Sequence, residues 1–131
     1  MKAGRHVLMV EDDQAMADMY RLGLESRGFQ VTVLPDATVL NDTVSMERPD
    51  VLVLDWELPI IRGDEALERL RLVEHGRLLP VFILSNFPGT NQGAIDRVFR
   101  AGALAWLEKV NTTPALLARR LTELVGPPQS N

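Results

Sequence analysis

The segment HVLMVEDD, residues 6–13, decides the fold because an apolar run ends there in three consecutive acids. The apolar part is typical of a buried β-strand. The carboxylates of Glu11, Asp12 and Asp13 would repel one another at its end unless something positive lay nearby. A second apolar run, VLVLD at residues 51–55, also ends on an acid, Asp55. Two buried strands that deliver acids to the same end predict a site for a hard cation, which prefers oxygen ligands.

Strand-like and helix-like segments alternate five times along the chain. This alternation predicts an α/β fold, with a parallel sheet covered by helices on both faces. The middle strands are continuous apolar runs, as expected of strands that are buried on both sides. The strand candidates are His6–Val10, Gln30–Leu34, Val51–Asp55, Val81–Ser85 and residues 105–107.

The segments between the strands show helical periodicity. The first predicted helix covers residues 14–26, and the second begins with Asp36 as its N-cap and ends before Pro49. The third covers residues 64–75 and the fourth residues 91–101. The last helix has Thr113 as its N-cap and Pro114 in its first turn. We predict one domain over residues 1–126, followed by a tail or linker at 127–131.

Composition and charge exclude several classes of function. The chain has 131 residues, no cysteine and a net charge of −4. The lack of a basic block argues against direct binding of nucleic acid, and the lack of cysteine excludes disulfides and fits a cytoplasmic protein. No apolar stretch approaches the roughly 20 residues that span a bilayer. We therefore expect a cytoplasmic protein with no membrane contact.

Ligands bind beyond the carboxyl ends of the strands in folds of this kind. That rule places Glu11, Asp12, Asp55, Ser85 and Lys109 at one edge of the predicted sheet. Each of these residues alone has an ordinary explanation as a helix cap, a turn residue or a solvated side chain. Asp13 in particular is expected to cap the first helix. The prediction of a site depends on their occurring together.

Four motifs extend this prediction. They are VEDD (10–13), DWELPIIRG (55–63), LSN (84–86) and GALAWLEK (102–109). In this order and at the ends of predicted strands, they make residues 5–125 resemble the receiver domain of two-component response regulators. The resemblance implies a flavodoxin-like fold, a single doubly wound five-stranded parallel sheet with strand order 2-1-3-4-5.

The resemblance also implies a chemistry. Asp55 would accept a phosphoryl group from a histidine kinase or phosphotransfer protein, which makes the domain a switch and not a turnover enzyme. Mg²⁺ would be bound by Asp12 directly, by Glu11 through water, by Asp55, and by the backbone carbonyl of Glu57. Lys109 would supply the remaining positive charge. The Ser85 hydroxyl would donate to a phosphoryl oxygen.

The switch implied by the resemblance consists of Ser85, which moves toward the phosphoryl group, and Trp106, which rotates inward behind it. An ordinary tryptophan with no switching role is the alternative for Trp106. The partner surface would be the face of the fourth helix, fifth strand and fifth helix, in a monomer or weak homodimer. Four arginines are expected near that face: Arg97, Arg100, Arg119 and Arg120. The alternative is that they are ordinary solvated side chains with no partner.

The sequence departs from the family pattern at four places. Val110 replaces the usual proline after the lysine, so we expect a trans bond between Lys109 and Val110. Asn86 is larger than the usual residue after Ser85 and would slow access to the phosphoryl group. The loop at residues 86–93 is about two residues longer than usual, so we expect it to move in the unphosphorylated state. The pair at residues 104–105 replaces acids that many DNA-binding regulators use for dimer contacts.

Three other functions are consistent with parts of the sequence. The chain is either a single-domain regulator, as we expect, or the receiver module of a longer regulator or hybrid kinase. A small Mg²⁺-dependent phosphohydrolase would need a second acid after Asp55, for which Glu57 is the only candidate. A flavodoxin-like cofactor binder would need a phosphate-binding loop after the first strand, which the sequence lacks.

Overall fold

The computed structural model of the protein describes residues 5–87 and 92–128. Its strands are β1 (His6–Val10), β2 (Gln30–Leu34), β3 (Val51–Asp55), β4 (Val81–Ser85) and β5 (Ala105–Glu108). They form one parallel sheet in the order β2-β1-β3-β4-β5. The predicted α/β fold with flavodoxin-like strand order is confirmed, and β5 is one residue longer than predicted.

The helices between the strands are α1 (Gln14–Glu25), α2 (Leu40–Glu47), α3 (Gly63–Leu70), α4 (Gln92–Arg100) and α5 (Pro114–Val125). Two predicted caps are confirmed. The Asp13 side chain accepts the Met16 N–H at 3.1 Å, and the Thr113 hydroxyl accepts the Leu116 N–H at 3.1 Å. α1 and α4 each end one residue earlier than predicted. The predicted start of the fourth helix at residue 91 lies outside the described residues.

The second helix begins later than predicted, and Asp36 does not cap it. The Asp36 carboxylate instead accepts the Thr38 N–H at 2.8 Å and the Thr38 hydroxyl at 2.5 Å. These bonds close a local turn that competes with the helix, as short polar side chains often do. α2 therefore starts at Leu40, after Val39, which makes no side-chain cap.

The third helix is shorter than the predicted residues 64–75. α3 ends at Leu70, and Glu74–Gly76 forms a separate 3₁₀ turn. The Arg71 guanidinium donates to the carbonyl oxygens of Gly76 at 2.8 Å, Leu79 at 2.7 Å and Ala101 at 2.6 Å. These hydrogen bonds hold the connection to β4 in a tight turn and fasten it to the carboxyl end of α4.

The core has two parts, one on each face of the sheet. Every residue of β1, β3 and β4 is buried, which agrees with their continuous apolar sequences. One face packs against α2, α3 and α4, and the other against α1 and α5. Among the helices of the described residues, none has the length and apolar character needed to cross a bilayer.

The register of the sheet determines which side chains meet at its carboxyl edge. Val10 is level with Leu54 across the β1–β3 pair, and Ser85 is level with Glu108 across the β4–β5 pair. The residues that follow β1 and β3 therefore emerge side by side. The end of β4 lies between them and the end of β5.

Candidate acidic site at the carboxyl edge of the sheet

Three carboxylates converge where β1 and β3 end. Glu11, Asp12 and Asp55 each offer an oxygen, and these oxygens lie within 4.8 Å of one another. Glu11 and Asp55 are buried, whereas Asp12 is exposed to solvent. Such a set of oxygen donors fits a hard divalent cation, with the exposed side left for water or substrate oxygens.

Lys109 lies among these acids. Its ammonium is 2.9 Å from Oδ2 of Asp55 and 2.6 Å from Oε1 of Glu11. The lysine begins a short 3₁₀ turn, Lys109–Asn111, directly after β5, and its side chain is buried. The bond between Lys109 and Val110 is trans, as predicted. One ammonium against three carboxylates leaves an excess of negative charge, which favours a bound cation.

Burial and neighbouring charges together shift the pKa values of Glu11 and Lys109. Burial raises the pKa of Glu11 to about 7, against the lowering effect of Lys109. Burial by itself lowers the pKa of Lys109, but hydrogen bonds to Glu11 and Asp55 outweigh it, so the net pKa lies above the ordinary value. The lysine therefore stays charged at neutral pH, as a balancing cation requires.

The loop after β3 holds the Asp55 carboxylate in place. Oδ1 of Asp55 accepts the Glu57 N–H at 3.0 Å. The loop returns to its origin at Gly63, whose N–H donates to the Trp56 carbonyl at 3.0 Å. A Cβ atom at Gly63 would lie only 2.6 Å from the Asp55 carbonyl oxygen. The glycine of the DWELPIIRG motif is thus required by the close approach of α3 to the end of β3.

Ser85 is fully buried at the end of β4, next to the loop that follows β3. Its hydroxyl donates to Oε2 of Glu57 at 2.5 Å, and Oε1 of Glu57 accepts the Asn86 N–H at 3.0 Å. The sequence predicts a role for the backbone carbonyl of Glu57 or for Glu57 as an acid, but no sequence pattern indicates this side-chain contact. Residues 88–91 of the loop predicted to move lie outside the described residues.

Trp106 lies on β5 and is half-buried. Its indole N–H donates to the Phe87 carbonyl at 3.3 Å, which connects β5 to the loop after β4. Its ring is also in contact with that of Trp56, the residue that follows Asp55. Arg62 places its guanidinium 5.8 Å from the centroid of the Trp56 ring.

An ion-pair cluster around one buried acid, Asp64, was not predicted. Asp64, in the first turn of α3, is 1% exposed. Arg62 donates to both of its carboxylate oxygens at 3.0 Å, and Nη1 of Arg97 on α4 lies 2.8 Å from Oδ2. Arg97 also contacts Glu68 of α3 at 2.8 Å. Arg97 is therefore directed toward α3. In the sequence, Asp64 is only an acid at the start of a predicted helix. Acids at such positions are usually exposed, so nothing in the sequence indicates its burial.

Comparison with known proteins agrees with this site. Residues 7–120 match the family described as response regulator receiver domain. The class defined by the fold and site is thus a phosphorylation-controlled switch and not a turnover enzyme. The chain belongs to the response regulator receiver family, whose members interact with histidine kinases.

Two curated relatives illustrate the match. The phosphate regulon transcriptional regulatory protein PhoB of Rhizobium meliloti is 31% identical over 113 residues, which cover 86% of this chain and 49% of PhoB. The transcriptional regulatory protein CseB of Streptomyces coelicolor is 34% identical over 116 residues, which cover 87% of this chain and 47% of CseB. The chain therefore spans about half the length of these curated relatives.

A solved structure resembles the fold of this chain. It is the receiver domain of a Pseudomonas aeruginosa sensor histidine kinase, described with a magnesium ion coordinated in its active-site cleft. It is 29% identical to this chain with a TM-score of 0.81, and the alignment covers 95% of this chain and 99% of that one.

Proposed function

We propose that Asp55 accepts a phosphoryl group from a histidine kinase or phosphotransfer protein and that the modified domain switches a protein-interaction face. The observation that carries this proposal is the position of Lys109, whose ammonium is 2.9 Å from Asp55 within a cluster of acids. A carboxylate nucleophile needs a nearby positive charge to balance the transferred group. Lys109 is the residue that supplies it.

Mg²⁺ is the proposed cofactor. The donor set fits it, because the buried Asp55 and the exposed Asp12 each offer a carboxylate oxygen to the same cluster. Asp12 would bind the ion directly and the backbone carbonyl of Glu57 would complete the protein ligands. Glu11 is paired with Lys109, which supports a role through water. The bound ion would supply positive charge next to the phosphoryl oxygens.

Ser85 and Trp106 are proposed to carry the response. Ser85 would donate its hydroxyl to a phosphoryl oxygen, and Trp106 would change its burial as the loop after β4 follows. The contact of Trp106 with the Phe87 carbonyl supports this route, since Phe87 lies two residues beyond Ser85. The added charge and acceptor oxygens provide the driving force.

The face formed by α4, β5 and α5 is the proposed surface for a downstream protein, in a monomer or weak homodimer. Arg100, Arg119 and Arg120 lie on these helices, whereas Arg97, also on α4, is paired with acids of α3.

We propose a receiver domain over residues 1–126, with 127–131 as a tail or linker. It would act in the cytoplasm without direct contact to nucleic acid. Whether it is a whole regulator or a module of a longer one would be decided by the downstream reading frame.

Small phosphoryl donors test the central proposal. The protein is incubated with acetyl phosphate or phosphoramidate and Mg²⁺, and intact mass spectrometry should show one added phosphoryl group. Asp55→Asn should abolish the addition, whereas Asp42→Asn, an exposed acid on α2, should retain it. Asn86 would slow the access of small donors to Asp55. If no phosphoryl group is added, the experiment is therefore repeated with a histidine kinase as the donor. No modification from either source would refute the proposal.

A further inference from the structure

The side chain of Glu57 makes a two-point contact with the start of the loop after β4. Oε2 accepts the Ser85 hydroxyl at 2.5 Å and Oε1 accepts the Asn86 N–H at 3.0 Å. Glu57 lies two residues after Asp55, so its carboxylate reaches across from the end of β3 to the end of β4. Leu84, the residue before Ser85, is level with Asp55 across the β3–β4 pair, so both donors lie one or two residues beyond the position of the phosphoacceptor candidate.

The Ser85 hydroxyl cannot donate to Glu57 and to a phosphoryl oxygen at the same time. A serine hydroxyl has one proton to donate. That proton is committed to Glu57, while the same oxygen accepts the Phe87 N–H at 3.0 Å. Ser85 is also fully buried, so no bulk water is available as an alternative partner. The hydroxyl can donate to a phosphoryl oxygen only after it leaves the carboxylate.

Charge adds to the competition. The phosphoryl group brings a charge of about −1.5 to −2. Lys109, the cation of the site, is already paired with Glu11 and Asp55. Among the residues that the structure describes, no basic side chain forms an ion pair with Glu57. The Glu57 carboxylate therefore repels a second anion at the position where Ser85 would receive it.

We infer that Glu57 is a built-in competitor of the phosphoryl group for the Ser85 hydroxyl and the Asn86 N–H. The inference rests on the proposed function of Asp55. In the unphosphorylated domain Glu57 holds the two donors, and phosphorylation exchanges one anion for another on the same groups. Glu57 is thus a positioning residue that sets how strongly the modified state is favoured.

Binding of beryllofluoride, a phosphoryl mimic, tests the inference without turnover. Dissociation constants are measured by calorimetry at saturating Mg²⁺ for the wild type and for Glu57→Ala, which keeps the backbone carbonyl. The variant should bind about tenfold more tightly, the factor expected when one charge-assisted hydrogen bond is no longer contested. Glu57→Gln should fall between them, because its amide oxygen still accepts from Ser85 but carries no charge.

Two controls separate this effect from general changes in charge. Glu65→Ala removes one acid from α3, where Glu65 is paired with Arg69, and should leave the affinity unchanged. In a Ser85→Ala background, the gain from Glu57→Ala should become smaller, since the contested hydroxyl is gone and only the Asn86 N–H and the charge of Glu57 remain in competition. A gain of the same size in that background, or no gain in Glu57→Ala, would overturn the inference. Failure of the wild type to bind beryllofluoride would instead refute the proposed function.

Discussion

The rings of Trp56 and Trp106 are in direct contact, with centroids 5.7 Å apart and planes inclined by 48°. Aromatic pairs at this separation attract each other beyond their simple burial. Trp56 directly follows Asp55 in the chain, and Trp106 lies on the edge strand β5. The contact therefore connects the loop after Asp55 to the edge strand β5, which belongs to the proposed partner face.

Tryptophan fluorescence should report the switch. We expect beryllofluoride plus Mg²⁺ to change the emission or the acrylamide quenching of the wild type, because Trp106 changes its burial. The response should be smaller in Trp106→Phe, where Trp56 still lies next to Asp55, and should be retained in Trp56→Phe, since Trp106 is the residue proposed to rotate. An unchanged spectrum and unchanged quenching in the wild type would contradict the coupling of Trp106 to the site.

Gly63 should tolerate no side chain. Alanine there would place its Cβ 2.6 Å from the Asp55 carbonyl oxygen and 2.8 Å from the Trp56 Cα, so the backbone must shift. We expect Gly63→Ala to lower the free energy of unfolding by about 1–3 kcal/mol, as overpacking does. The variant should also slow phosphorylation from acetyl phosphate.

Chemical denaturation measures the stability change of Gly63→Ala, with Gly93→Ala as its matched control. Gly93 is exposed in α4, where alanine should stabilise by about 0.5–1 kcal/mol through helix propensity. Equal stabilities of Gly63→Ala and the wild type would show that the loop after β3 accommodates a side chain without cost.

The Asp64 cluster should make stability depend on pH. Burial by itself raises the pKa of Asp64, but its hydrogen bonds with Arg62 and Glu65 and the charge of Arg97 outweigh burial, so the net pKa is lowered. A carboxyl group with a lowered folded-state pKa stabilises the protein above its unfolded-state pKa, and this contribution is lost as pH falls through the folded-state value.

Urea unfolding of Asp64→Asn and the wild type checks this prediction. At neutral pH the variant should be less stable by about 1–3 kcal/mol, since the neutral amide forms weaker hydrogen bonds with the arginines. The difference should shrink steadily below about pH 4. A difference that stays constant down to acid pH would assign the effect to packing and not to charge.

Magnesium should stabilise the protein through Asp12. At a concentration 100 times the dissociation constant, Mg²⁺ should add about 2.7 kcal/mol to the free energy of unfolding. Asp12→Asn should lose most of the resulting increase in melting temperature, whereas Asp42→Asn, also at an exposed position, should keep it. Thermal melts with Mg²⁺ and with EDTA make the comparison. The same increase in both variants would place the ion elsewhere.

Much of the fold followed from local patterns. The strands were predictable because each is a short run rich in apolar residues that is followed along the chain by a helical segment. The alternation of strands and helices alone predicts that Asp12, Asp55 and Lys109 lie at one edge of the sheet. That inference needs only the rule that parallel strands end at the same side of a sheet. The coordinates add the distances that make these residues one cluster.

What the sequence could not predict depends on side chains that meet across the fold. The contact of Glu57 with Ser85 requires the loop after β3 to lean over the end of β4, and no spacing rule specifies that. The burial of Asp64 depends on Arg97, which arrives from another helix. The late start of α2 has a local cause. The Asp36 side chain can cap a helix or close a turn with Thr38, and the hydrophobic periodicity does not distinguish between these two conformations.

Arg71 has a mechanical consequence for the fourth helix. Its guanidinium is bonded to the carbonyl oxygens of Ala101 and Gly102, just past the carboxyl end of α4, as well as to the turn before β4. This end of the helix is clamped to the base of the sheet, opposite the acidic cluster. A displacement of α4 that starts near Ser85 would therefore be a rotation about the carboxyl end of the helix. The largest movement would occur at its amino end, where the helix begins.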